Sequence, residues 1–212
     1  MVYAVDTLNG KACATSMDYK QRSRATVKGT WSTTQADKSY VYTLSSSIPA
    51  AQIKSSTAAA TFVPYLPETG QYEVYLYNPA CSTDCNQRTQ VDVTTYRSSS
   101  GTPVTRNVDL KATAGSTVLV FSGYIHASTP KFAPYVTVKV ASNATAPASG
   151  NAIISLQAVQ FIKQASNTTL TSLLEFTPAE TDTSVANTTL VGAYGPLAGK
   201  NPFTYYLGMN KC

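Results

Sequence analysis

Two of the four cysteines carry the most specific chemistry in this sequence. Three residues separate Cys81 from Cys85 in the turn-rich segment Pro79-Ala-Cys-Ser-Thr-Asp-Cys85, and a tight disulfide can close that reach. A thiolate zinc site needs four ligands, but the sequence has no second close cysteine pair and only one histidine. We therefore favour a Cys81–Cys85 disulfide over a metal site, and we expect no metal and no cofactor.

The other two cysteines, Cys13 and Cys212, leave two interpretations open. If they bond to each other, residues 165–212 are held against the rest of the chain and become part of the domain. If they are free thiols, their partners lie in a longer parent chain. Peptide mapping distinguishes the two.

Catalytic chemistry has little support. His126 is the only histidine, and Ser122, Ser128 and Asp109 are its nearest candidates for a serine triad. The sequence around them has neither a nucleophile elbow nor an oxyanion motif. The closest acidic pair, Glu180 and Asp182, falls in a polar segment that offers no pocket to raise a carboxyl pKa. We expect no catalytic residues and no enzyme activity.

Exposed aromatic side chains are the better candidates for binding. In the segment Tyr72–Tyr77, alternate residues face opposite sides of a strand, which places Tyr75 and Tyr77 on one face. Tyrosine rings can stack on sugars while their hydroxyls bond sugar hydroxyls. Trp31 has the same two interpretations, namely sugar stacking or burial in the core. For Tyr75 and Tyr77 we favour burial under loops or the C-terminal tail, and for Trp31 we favour a place in the core.

Three basic residues occupy alternate positions and would project from one side of a strand: Lys20, Arg22 and Arg24. They could bind mannan phosphates or an acidic partner. We favour a solvated strand edge that discourages pairing between sheets.

The composition describes a neutral, hydroxyl-rich surface. Of the 212 residues only 13% are charged, the net charge is +5, and Ser and Thr together number 52 (22 plus 30). The basic residues are too dispersed for a nucleic-acid footprint. No apolar run is long enough to span a bilayer.

Three N-glycosylation sequons and the cysteines together indicate a secretory compartment. The sequons begin at Asn143, Asn167 and Asn187. The N-terminus shows no signal-peptide pattern, so we expect a fragment: either a signal peptide has been removed and Met1 added, or a larger ectodomain has been trimmed at both ends.

Short apolar and β-branched segments separated by Gly, Pro and Ser predict an all-β fold, namely an antiparallel β-sandwich or jelly roll with an extended C-terminal tail. The apolar parity changes near Ala158, as at a bulge, and Gly70 is expected to take a positive φ in a turn. The predicted strands are 25–31, 40–44, 57–65, 71–77, 89–97, 102–111, 116–125, 135–141 and 152–164. The expected core is Val74, Leu76, Val91, Val93, Val118, Val120, Val136, Val138 and Val140.

Three regions follow from the composition. Residues 1–24 form an N-terminal leader, residues 25–164 the sandwich, and residues 165–212 a tail packed back on it. Residues 165–198 contain no Lys or Arg and several acidic residues. We place a boundary there.

The stretch Thr61-Phe-Val-Pro-Tyr-Leu-Pro-Glu-Thr-Gly-Gln-Tyr-Glu-Val-Tyr-Leu-Tyr-Asn-Pro79 resembles the golvesin-like β-sandwich, which is associated with carbohydrates. With the cysteine loop and Arg88-Thr-Gln-Val-Asp-Val it is more similar to a domain of the Rax family. The segment Asn167-Thr-Thr-Leu-Thr-Ser-Leu-Leu-Glu-Phe-Thr-Pro resembles the sequence that leads into kelch-like propeller repeats in that family.

The Rax resemblance implies an extracellular module of a fungal cell-surface glycoprotein that marks the cortex for polarity and bud-site selection. This resemblance implies that the module is attached to the membrane only through an anchor elsewhere in the parent chain. The implied partners are a cell-surface protein or a cell-wall polysaccharide. A carbohydrate-binding module for wall polysaccharide is the alternative function.

Overall fold

The computed structural model describes residues 2–3, 23–35 and 42–164, where two short 3₁₀ helices, Ala50–Gln52 and Cys85–Gln87, accompany twelve β-strands. The strands are β1 (Val2–Tyr3), β2 (Arg24–Lys28), β3 (Ser32–Gln35), β4 (Tyr42–Ile48), β5 (Ala59–Val63), β6 (Gly70–Tyr77), β7 (Gln90–Tyr96), β8 (Val104–Asp109), β9 (Thr117–Ile125), β10 (Tyr135–Val140), β11 (Ala152–Leu156) and β12 (Ala158–Lys163).

The strands form three sheets, and every pairing between the named strands is antiparallel. The strand orders are β1-β12-β6-β9, β2-β5-β10-β7-β8 and β11-β4-β3. The predicted all-β antiparallel class is confirmed. No helix in the described part of the chain is long and apolar enough to cross a membrane.

Strand β10 shows how the sequence specifies these elements. Its β-branched residues favour extended backbone, and alternate positions face opposite sides. The valines of β10 are buried, whereas Tyr135 and Thr137 are half-buried and Lys139 is exposed. This alternation is the one predicted for residues 135–141.

One hydrophobic core receives side chains from all three sheets. Tyr72, Phe62 and Phe161 are its largest fully buried side chains, and burial of one such group is worth about 1.5–3 kcal/mol. Eight of the nine predicted core residues are buried, and Val118 is partly buried against the same cluster.

The last two strands form one run that passes between two sheets. Strand β11 pairs with β4, while β12 pairs with β6, and only Gln157 separates them. The Gln157 N–H donates to the Tyr77 carbonyl at 3.0 Å. The predicted change of parity near Ala158 corresponds to this switch from one sheet to the other. It places Ala158 opposite Tyr77.

Gly70 differs from expectation, since it begins β6, pairs with Ile125 and lacks the predicted positive φ. A Cβ at Gly70 would lie 2.9 Å from Lys163 Cε, which belongs to a flexible side chain that can move aside. Gly115, in the predicted Ala114-Gly115 turn, does have a positive φ of 74°.

Two strands were not predicted. Strand β3 is wholly polar, and β1 lies within the predicted leader and pairs with β12. Several sequence predictions lie outside the described residues: Cys13, Cys212, Lys20, Arg22, Asn167, Asn187, Glu180, Asp182 and the tail 165–212.

Candidate functional site

The loop between β6 and β7 contains the predicted disulfide. Cys81 and Cys85 are bonded, with their Cα atoms 5.3 Å apart. The second cysteine begins the 3₁₀ helix Cys85–Gln87. The local pairing predicted from their spacing is confirmed.

A buried arginine also connects the two ends of this loop. Arg88 is only 7% exposed. Its guanidinium donates to Asp84 Oδ2 at 3.2 Å, to Asn78 Oδ1 at 3.0 Å and to the Ala80 carbonyl at 3.0 Å. It also donates to the Pro79 carbonyl. Charge-assisted bonds of this kind are stronger than neutral ones, so Arg88 holds both ends of the loop.

Asn78 extends this network to the turn between β8 and β9. Its amide nitrogen donates to the Leu110 carbonyl at 2.8 Å and to Thr113 Oγ1 at 2.9 Å. In that turn, Asp109 Oδ1 accepts the backbone N–H groups of Lys111 and Ala112. The cysteine loop is thereby fixed to a second, independently ordered turn.

Cys81, Asp84 and Cys85 are grouped closely enough to hold a metal ion, with their ligand atoms within 4.8 Å of one another. The two sulfurs are bonded to each other, and Asp84 pairs with Arg88. In this oxidised form the group provides no thiolate, which is the ligand a zinc site would require.

Tyr75 and Tyr77 lie half-buried on the outer face of β6, as the alternation predicted. The Tyr75 hydroxyl donates to Glu73 Oε2 at 2.9 Å, and the Tyr77 hydroxyl donates to Gln160 Oε1 at 2.6 Å. The Glu73 hydrogen bond is the main cause that raises the pKa of Tyr75, with desolvation and the Glu73 charge adding to it. Both phenol hydroxyls therefore already have acceptors within the protein.

Trp31 packs partly buried against the core, and its Nε1 donates to the Lys28 carbonyl at 2.9 Å. It lies between β2 and β3, in the turn that contains Gly29 with φ of 86°. Its indole N–H is therefore used locally, within the turn between β2 and β3.

The outer face of the five-stranded sheet carries a pattern that sequence reasoning missed. Five threonines lie in register across all five strands: Thr26, Thr61, Thr137, Thr94 and Thr105. Next to this row, Tyr96 and Tyr135 stack with ring centroids 4.2 Å apart and an interplanar angle of 13°. Each ring covers one face of the other, so neither offers two free faces for sugar stacking.

A groove of about 500 Å³ lies between β8 and β9. Among the described residues these are edge strands of the five-stranded and four-stranded sheets. The lining residues are Arg97, Val104, Thr105, Arg106, Leu119, Val120, Phe121, Ser122 and Gly123.

The candidate serine triad is not assembled. The His126 N–H donates to the Arg97 carbonyl at 3.0 Å, which places it at the end of the sheet where β8 begins. Asp109 is at the other end of β8, about 17 Å along the strand at 3.3 Å per residue. The His126 ring instead meets Tyr124 edge-on, with centroids 5.9 Å apart.

The Asn143 sequon is exposed in the turn after β10. Asn143 Oδ1 accepts a hydrogen bond from Asn107 Nδ2 at 3.2 Å. The Asn143 amide nitrogen, the atom that carries an N-glycan, takes no part in that bond. Arg24, the described member of the basic triple, is exposed on edge strand β2.

The family profile of the Rax2 third domain matches residues 1–164, a range that includes every described residue. The chain belongs to this family. The Rax resemblance seen in the Tyr72–Tyr77 strand and the cysteine loop is thereby confirmed. The cysteine loop and the groove between β8 and β9 both lie within the matched residues of this Rax2-family domain.

No curated protein has a significant sequence match to the chain. Among solved structures, this Rax2-family chain is similar to the crystal structure of the glycoside hydrolase domain of Endo-D from Streptococcus pneumoniae R6. The sequence identity is 9% and the TM-score 0.26, over 66% of this chain and 21% of that one.

Proposed function

We propose that this Rax2-family domain is a non-catalytic, extracellular structural and recognition module of a fungal cell-surface polarity marker. In this role it displays a rigid, neutral surface in the cell-wall layer. Its partners are a cell-surface protein or wall polysaccharide, and the parent chain supplies the membrane anchor.

The observation that carries this proposal is the cysteine loop. A disulfide persists in oxidising compartments and is reduced in the cytosol. Here the bond closes a surface loop that Arg88 and Asn78 also hold. The exposed sequon at Asn143 suits the same compartment, since N-glycans are added to surface segments of secreted proteins.

The non-catalytic part of the proposal is supported by the separation of His126 from Asp109. Turnover of a wall glycan by the purified chain, lost in His126→Ala and retained in Lys139→Gln, would overturn it. We expect no turnover in either variant or in the parent sequence.

Surface labelling of intact cells tests the proposed location. An epitope inserted after Ala148, which is exposed in the segment between β10 and β11, should be reached by antibody without permeabilisation. The label should concentrate at sites of new growth or budding. Labelling that requires permeabilisation, as for a cytosolic control protein, would contradict the extracellular assignment.

A carbohydrate-binding module is the second candidate. It is favoured by the position of Tyr75 and Tyr77 on one outer sheet face, with their rings half-exposed. An array of glucan, mannan and chitin tests it. Saturable binding that is lost in Tyr75→Ala or Tyr77→Ala but kept in Tyr124→Ala supports it, and binding lost in Trp31→Ala alone would assign the site to the β2–β3 turn.

A further inference from the structure

The groove between β8 and β9 combines three features. It is lined by strand edges, it exposes apolar side chains, and its charged side chains are all basic. Val104 on its β8 side is 39% exposed, although valine usually lies in the core.

The two cations of the groove lack acidic partners. Neither Arg97 nor Arg106 forms an ion pair among the residues that the structure describes, where the ion pairs are Arg88 with Asp84 and Lys163 with Glu68. No acidic side chain lines the groove. The pocket therefore has a charge of +2 that an anionic ligand would neutralise.

Of the two edges, β8 is the one suited to accept another strand. It pairs with β7 in an unbroken register from Thr95↔Val104 to Gln90↔Asp109. Strand β9 has a bulge at Val120, which has no partner because Val74 pairs with Phe121 and Tyr75 with Leu119. Bulges discourage pairing at a sheet edge.

The Arg97 end of the groove is fixed. The Arg97 carbonyl accepts the His126 N–H at 3.0 Å, and this bond joins the end of β7 to the segment after β9. Within the next loop, the Gly101 N–H donates to Ser98 Oγ at 2.8 Å. A ligand strand would therefore meet an end of the groove that is already ordered.

We propose that this groove binds an extended acidic peptide of a partner protein, which adds as a strand along β8. Main-chain hydrogen bonds to the β8 edge supply affinity, as in other cases of strand addition. Arg97 and Arg106 select acidic side chains by pairing with their carboxylates. The site does not depend on the compartment or the parent protein proposed above.

Direct binding to the full chain tests this proposal. The probe is a ten-residue peptide that alternates Glu with Val, and its controls are the matching Lys–Val peptide and a Glu–Val peptide with one central proline. Calorimetry at low and high salt measures affinity, and hydrogen exchange reports the amides of β8.

We expect saturable binding of the Glu–Val peptide that weakens with salt, together with slower exchange along β8. The Lys–Val peptide should not bind, and the proline peptide should bind at least tenfold more weakly because it lacks a main-chain donor. Arg106→Gln and Arg97→Gln should each weaken binding up to about fivefold, as expected for partly exposed ion pairs, and the double variant about tenfold. Lys139→Gln, an exposed cation on another strand, should bind like the parent.

Other outcomes overturn the proposal. Equal binding of the proline peptide excludes strand addition, and binding unaffected in the double arginine variant excludes this groove. If Arg106→Gln causes association of the chain while the parent binds no peptide, Arg106 serves only to block edge pairing. Binding seen only in a Glu175→Gln, Glu180→Gln, Asp182→Asn variant would assign the groove to this chain's own acidic segment.

Discussion

Arg88 Nη1 lies 3.0 Å from Asn78 Oδ1, and this bond joins the residue that follows β6 to the segment that precedes β7. Both side chains are buried, at 7% and 3% exposure. The cysteine loop is therefore fixed by a polar network beneath it as well as by its disulfide.

Replacing Arg88 with Ala should lower the free energy of unfolding by about 3 kcal/mol, because it leaves Asn78 and two loop carbonyls without a buried donor. Arg24→Ala, the same change at an exposed position, should cost less than about 0.5 kcal/mol. Urea denaturation of the two variants measures both. Equal stabilities would show that the Arg88 network contributes nothing to folding.

The Cys81–Cys85 bond should contribute less than Arg88. A closed loop this short stabilises by about 2 kcal/mol in the chain-entropy description. The Cys81→Ser, Cys85→Ser double variant should lose about that amount in the same urea experiment. Alkylation of Cys85 in the native, unreduced protein would instead contradict the bond.

Local patterns in the sequence were enough to predict ten of the twelve described strands and the buried faces of the central ones. The alternation at Val136 and Val138, the parity change near Ala158 and the cysteine spacing each depend on residues close together in the chain. The polar strand β3 gave no such signal, because Ser32–Gln35 has no apolar alternation. It becomes a strand by pairing with β4 at the edge of its sheet.

The threonine row and the Tyr96–Tyr135 stack could not be predicted in the same way. They depend on the register between strands that are far apart in sequence, and a shift of one residue would move each side chain to the other face. The groove likewise depends on which strands end the sheets. Sequence alone placed Tyr75 and Tyr77 on one face but could not show that Glu73 and Gln160 accept their hydroxyls.

Thr95→Val should stabilise the protein by about 1 kcal/mol. Thr95 is fully buried, and its hydroxyl has no hydrogen-bond partner among the described residues, so its desolvation is not compensated. Its neighbour gives the matched control, because Thr94 Oγ1 lies 2.8 Å from Thr105 Oγ1. Thermal unfolding should show a gain for Thr95→Val and none for Thr94→Val; the reverse order would contradict this reading of the core.

The Tyr75 phenol should titrate above its usual pKa of 10.0, chiefly because it donates a hydrogen bond to the Glu73 carboxylate. A phenol whose pKa is raised by folding stabilises the protein at pH below 10, and that stabilisation is lost as pH rises through the folded-state pKa. Glu73→Gln should therefore lower the pKa of Tyr75, as followed by carbon NMR of the tyrosine rings. The pKa of Tyr135, raised by burial and by Tyr96, serves as the internal control and should not move; an unchanged Tyr75 would show that Glu73 is not the cause.

Peptide mapping by mass spectrometry of the protein isolated from its own cells tests the extracellular assignment most directly. We expect one peptide that contains both Cys81 and Cys85 bonded to each other, whose mass rises on reduction, and a glycan on Asn143 that a peptide N-glycosidase removes with conversion of the residue to Asp. Free thiols at Cys81 and Cys85 together with an unmodified Asn143 would show that the domain never entered the secretory pathway, and would contradict the proposed function.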